Sequence, residues 1–146
     1  MTRINSAIPV KCLTDEHLLA EHREIKRLPY CLKRACETGS IKRIPENFVL
    51  GSGHITFFLD KMKFVFERYQ KIHKECISRG FDVIDYSDNW SDYKEDKRYW
   101  NDYRPSEKEK KMLIERISER IENSKKNSWH FNKEKISKDR AIEMIK

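Results

Sequence analysis

The stripe formed by Phe57, Phe58, Met62, Phe64, Val65, Tyr69, Ile72 and Cys76 constrains this chain more than any other feature. These residues broadly keep the spacing of one helix face, about 3.6 residues per turn, and the alternation of a strand is absent. Such a stripe is an aromatic core face rather than a cofactor box. It predicts a helix that starts between His54 and Asp60, runs to Arg79 and ends with Gly80 in the C-terminal cap position.

Two further helices follow from the same logic. Thr14 or Asp15 can cap a first helix that runs to about Thr38 and stops at Gly39, with Pro29 expected to kink it. Ser106 and Glu109, just after Pro105, have capping-box spacing. They open a third helix to about Asn123 whose apolar face is Leu113, Ile114, Ile117 and Ile121. Residues 39–53 and 81–105 read as loops, the second acidic and rich in Tyr and Trp. Residues 137–145 can form a short extra helix. Neither an internal repeat nor a convincing strand stands out. The expected class is all-α: one compact domain over residues 1–146, with three main helices and long loops. Residues 1–13 form an irregular arm, and residues 132–146 form a C-terminal extension.

The net charge of +7 and pI near 9.2 point to a polyanionic partner, nucleic acid first and an acidic membrane surface second. The charge is uneven. Residues 1–44 carry nine Lys/Arg against five Asp/Glu, and residues 125–146 carry seven against three. Between residues 82 and 96, Lys94 stands alone against six acids. The attractive surface is therefore expected from the two ends of the chain. No stretch is apolar for long enough to span a bilayer, and the N-terminus lacks a signal peptide's apolar run. Cys12, Cys31, Cys36 and Cys76 show neither C-x-x-C nor zinc spacing, and read as reduced thiols of a cytoplasmic protein.

The segment HLLAEHREIKR, residues 17–27, is the best candidate for chemistry. At about 100° per residue, His17, Glu21, Glu24, Arg27 and Arg23 fall within an arc of about 160°. Leu18, Ile25, Pro29 and Leu32 lie on the other side. Arginines flanking Glu24 could grip a nucleic-acid backbone while the carboxylate works on it; the same pattern also describes a solvated face. The chain also begins Met1-Thr2, and a small second residue favours removal of Met1. That would free an α-amine, which ordinarily titrates at about 7.7–8.0 and is partly nucleophilic at neutral pH. Amines attack carbonyl-like carbons to give imines. A nearby carboxylate such as Glu24 could stabilise positive charge on a sugar and move protons.

Five motifs carry a family resemblance: MTRIN at the start, HLLAEHREIKR over 17–27, FVLGSGHITFFLDK over 48–61, ECISRGF over 75–81 and DYRP over 102–105. In order and spacing they resemble the pyrimidine-dimer DNA glycosylase/AP lyase of T-even phage, phage endonuclease V. The likeness covers about residues 1–81 and again 102–131. It implies a compact, mainly helical repair enzyme that removes ultraviolet-induced pyrimidine dimers from duplex DNA. The base 5′ in the dimer leaves as an N-terminal amine attacks its sugar, and β-elimination then cuts the strand. On this resemblance Thr2 matches the nucleophile and Glu24 the essential carboxylate. Arg3, Arg23 and Arg27 match phosphate-gripping arginines, and His17 matches a histidine on the same face.

The chain departs from the family pattern by one extra residue in the arm, by a rewritten connector, and by Asn132 and Lys133 where aromatics are expected. Two alternatives stay open: a related glycosylase/lyase for other base lesions, and a catalytically idle DNA-binding protein. Arg120 and Trp129 are further DNA-binding candidates. Lys125, Lys126, Lys133 and Lys135 read equally well as phosphate contacts or a solvated tail. Gly51-Ser52-Gly53 reads as a tight turn, and His54 as a core or supporting residue. Imine chemistry needs no metal or cofactor, and a monomer is expected.

Overall fold

A computed structural model describes residues 4–146, the side chain of Lys42 excepted. Thr2 and Arg3 lie outside the described residues. Six α-helices and one short hairpin follow the arm: α1 (Asp15–Ile25), α2 (Leu28–Thr38), α3 (His54–Phe57), α4 (Met62–Ser78), α5 (Glu107–Asn123), β1 (Trp129–Phe131), β2 (Glu134–Ile136) and α6 (Lys138–Ile145). The architecture is mostly helical, as expected, but it is cut more finely than the sequence suggests.

The first expected helix is two. Pro29 sits at the second position of α2, in its first turn, where the missing N–H costs nothing. Deeper in a helix its ring would press on the carbonyl four residues back, that of Ile25. The chain therefore ends α1 there and starts again at Leu28. The second expected helix is also divided. Phe57 and Phe58 belong to α3 and the turn after it, and the α4 N-terminus takes carbonyls from the aromatic connector. Met62 N–H donates to Tyr99 O at 2.8 Å and Phe64 N–H to Asn101 O at 3.3 Å, which satisfies amides that no turn of α4 can pair. At the other end Gly80, at φ 84°, lets Phe81 N–H reach Cys76 O and Gly80 N–H reach Ile77 O, both at 3.0 Å. That closes α4 as a Schellman motif.

The hairpin corrects the sequence reading, which found no strand. Trp129 pairs with Ile136 and Phe131 with Glu134 across antiparallel strands of three residues each. Asn132 and Lys133 form the turn at φ 53° and 71°, the left-handed pair that such two-residue turns demand. Asp15, in the first turn of α1, holds it: its two carboxylate oxygens accept from Asn132 N–H at 2.9 Å and Lys133 N–H at 2.7 Å. Glu16 accepts from His130 N–H at 2.7 Å.

One apolar cluster runs through the described chain. It takes Ile4 and Ile8 from the arm, Leu18 and Ile25 from α1, Met62, Val65, Tyr69 and Ile72 from α4, Leu113, Ile117 and Ile121 from α5, and Ala141, Ile142 and Ile145 from α6. The connector 81–105 is irregular, yet it delivers Trp90, fully buried against Tyr69 at 4.8 Å between ring centroids. The four cysteines are free thiols. No described helix is long and apolar enough to cross a membrane.

Candidate active site

Residues 4–8 of the arm pack into the fold and are anchored by side chains far away in sequence. Ile4 N–H donates to His54 Nε2 at 2.9 Å. Asn5 Nδ2 donates to Glu21 Oε1 at 3.0 Å. Ser6 Oγ donates to Glu109, which also accepts from the Tyr103 hydroxyl. Arg68 closes the set, giving its Nη1 proton to Ile8 O at 2.6 Å while gripping both oxygens of Glu21 at 2.8 and 3.0 Å. Glu21 shares the charged arc of α1 in the helical-wheel reading. In the structure it is 2% exposed and serves this buried ion pair. Glu109 is likewise structural. Its N–H takes the Ser106 cap at 3.1 Å, but its carboxylate turns to Ser6 and Tyr103. Burial pushes that carboxyl above its ordinary pKa, against the pull of the two hydroxyls.

Asn5 and Glu24 line the same small pocket, about 110 Å³, together with His17 from α1 and Arg116 and Arg120 from α5. Glu24 accepts from Arg27 Nη1 at 3.1 Å, one turn along α1. His17, Arg116 and Arg120 also wall a wider depression of about 490 Å³ that reaches Trp129. A carboxylate thus sits at one end of a trough whose walls carry two guanidinium groups.

His17 is fixed from two sides. Its Nδ1 lies 2.8 Å from the hydroxyl of Thr14, the residue that caps α1 by accepting from His17 N–H. Its ring stacks on Trp129, 5.1 Å between centroids and 3° from parallel. Burial holds the His17 pKa below its usual value, and Arg120 and Lys126 add to the effect against Glu16 and Glu21. The ring is therefore neutral at pH 7. Trp129 is 7% exposed, with the Lys126 ammonium 5.2 Å from its ring centroid. It is a wall of the trough rather than a free stacking surface.

The candidates do not all converge. Arg27 is exposed beside Glu24, but Arg23 points around the helix. Arg23 lines a separate depression of about 310 Å³ with Lys26, Ile84 and Tyr86. An arc of 160° is wide enough to put its two ends on different rims. Thr2 and Arg3 fall outside the described residues. Sequence reasoning missed Arg116. Its place one turn before Arg120 was the available signal. It also missed Asn5, which nothing local distinguishes. The Arg116 Nε is buried with no hydrogen-bond partner among the described residues.

The sequence matches the family model of pyrimidine dimer DNA glycosylases over residues 1–89. The match takes in the arm, α1 with Glu24, the His54 anchor and all of α4. Arg116, Arg120 and Trp129 come from the part of the chain beyond it. With more than half of its length covered by that match, this chain belongs to the pyrimidine dimer DNA glycosylase family, enzymes of DNA repair.

Proposed function

We propose that this protein excises the 5′ base of an ultraviolet-induced pyrimidine dimer in duplex DNA and then cuts the strand through an imine on the amino group of Thr2. The whole chain acts as one repair unit. One observation carries the reading: Asn5 lines the pocket of Glu24. Thr2 is three residues from Asn5, a span of at most about 10 Å of chain.

The free α-amine attacks C1′ of the 5′ nucleotide as the glycosidic bond breaks, and the electrons of that bond leave with the base. Glu24 offsets the positive charge that builds on the sugar in this step. Opening of the deoxyribose ring gives the imine. Loss of a C2′ proton, for which Glu24 is the acceptor at hand, expels the 3′ phosphate by β-elimination. Water then releases the amine. Arg116 and Arg120 hold phosphates along the trough, with Arg27, Arg3 and Arg23 on the flanking strand contacts. His17, held neutral against Trp129, shapes the pocket without adding a charge. A dimer weakens stacking and pairing, so distorting the duplex costs less there than in intact DNA. That difference supplies selectivity without reading base edges.

Borohydride added during turnover on irradiated duplex should fix a protein–DNA adduct, and peptide mapping should place it on Thr2. Glu24→Gln should cut the rate by at least about 100-fold, the usual scale for a positioned acid–base group. Equal trapping and nicking by a form that keeps Met1, or by Glu24→Gln, would refute the assignment. Nicking confined to other base lesions would move the enzyme to a different substrate class.

A further inference from the structure

We infer that His54 is a positioning residue for the terminal amine, acting through the backbone of Ile4; this rests on the Thr2 reading above. His54 is 1% exposed and uses both ring nitrogens. The Ile4 amide can only donate, so Nε2, 2.9 Å away, is the unprotonated nitrogen. The proton is then on Nδ1, which donates to Val49 O at 2.8 Å. The ring is a strut in one tautomer, with loop 45–53 on one side and the arm on the other.

Its direction is fixed as firmly as its protonation. Phe48 and Phe58 meet the ring edge-on at 5.5 and 5.4 Å between centroids. Gly53 precedes it at φ 91°, and a Cβ there would lie 3.3 Å from Pro45 Cγ. The turn into α3 therefore accepts glycine and sets the angle at which His54 leaves the backbone. Of the arm's described hydrogen bonds, the one at Ile4 is nearest the terminus in sequence. The anchors at Asn5 and Ser6 act through side-chain atoms, Nδ2 and Oγ, rather than through the main chain. Among the described residues, the Ile4 contact fixes the main-chain atom closest in sequence to the nucleophile, two residues after it. Misplacing a reacting group by about 1 Å can cost about 100-fold in rate.

Two amide side chains separate this role from packing. Glutamine at position 54 places its amide where Nε2 stands and can accept from Ile4 N–H. Asparagine places its amide where Nδ1 stands and cannot. Both remove the ring from Phe48 and Phe58. The full-length protein, its N-terminus verified by intact mass, is compared with His54→Asn and His54→Gln. The readouts are single-turnover borohydride trapping on dimer-containing duplex, affinity for duplex with an unreactive abasic analogue, and thermal unfolding. The expected result is a trapping rate about 10- to 100-fold lower in His54→Asn, recovery to within about threefold in His54→Gln, and affinity unchanged within about twofold in both. Equal rates in the two variants overturn the inference, whether both match the unaltered protein or both fall together with unfolding temperature. If the adduct maps to Thr2 but its rate ignores His54→Asn, the amine reading stands and the His54 role alone fails. An adduct on a lysine, or none from the unaltered protein, overturns both.

Discussion

Arg68→Met tests whether the buried pair under the arm is an energetic unit. Arg68 and Glu21 are 6% and 2% exposed, and their contact is bidentate. Removing the guanidinium strands the Glu21 carboxylate in the core beside Asn5 and leaves Ile8 O without its 2.6 Å donor. Breaking such a pair costs about 3–5 kcal/mol. With an unfolding entropy of about 2.1 cal/mol/K per residue, a chain of this length loses about 3 °C of melting temperature per kcal/mol. The expected drop is about 10–15 °C in a thermal scan, with a matching shift in urea midpoint. Glu21→Gln should cost a comparable amount, because it leaves the cation. The double substitution Glu21→Gln/Arg68→Met removes both charges and should be less damaging than the two single effects added together, by at least about 2 kcal/mol. Imine trapping should stay low in the double variant, since Ile8 O still lacks its donor and the arm is still loose. If the single effects simply add, the pair does not act as a unit and the account of the arm's anchorage is wrong.

Arg116→Ala and Arg120→Ala should each weaken binding to undamaged and damaged duplex alike and lower the slope of log affinity against log salt by about 1; an unchanged slope would remove that residue from the phosphate path. Asp15→Ala should destabilise by about 3 kcal/mol in urea unfolding, because it takes a partner from Arg79, 2.9 Å away, and two donors' acceptor from the hairpin turn; a loss under about 1 kcal/mol would mean the turn holds itself. His22, buried against His73 at 3.0 Å, has its pKa pushed down to about 4, mainly by burial and then by His73 and Lys26. The unfolded chain binds this proton first as pH falls, so His22 should make stability drop between about pH 6.5 and 4. His22→Gln should flatten that limb of a pH–urea profile, and an unchanged limb would refute the assignment.

What was legible in the sequence was local. The Thr14 and Ser106 caps, the stop at Gly80 and the apolar stripes each depend on residues within a turn or two, and each is found where local chemistry puts it. Pro29 was legible as a disruption, but a helix can bend at a proline or restart at it, and only the core packing of α2 decides. The hairpin was hidden because three-residue strands carry no period. Its turn, Asn132-Lys133, is held by an aspartate 117 positions earlier. Glu21 shows the same limit at the site. On the helical wheel it is a partner of Glu24; Arg68, 47 residues on, makes it part of the core. Arg23 and Arg27 differ by one turn on the wheel, and which rim each serves depends on the loop carrying Ile84.

Asp15 joins Arg79 and the backbone of residues 132 and 133, and through the hairpin it seats Trp129 on His17. During synthesis α1 leaves the ribosome more than a hundred residues before the amides its first turn must cap. Until those amides emerge, a nascent chain can form its helices while two acids of α1 wait in water for partners. The shelf behind His17 is thus among the last parts to be assembled, and loss of the final few dozen codons would leave a largely helical product with an unfinished trough.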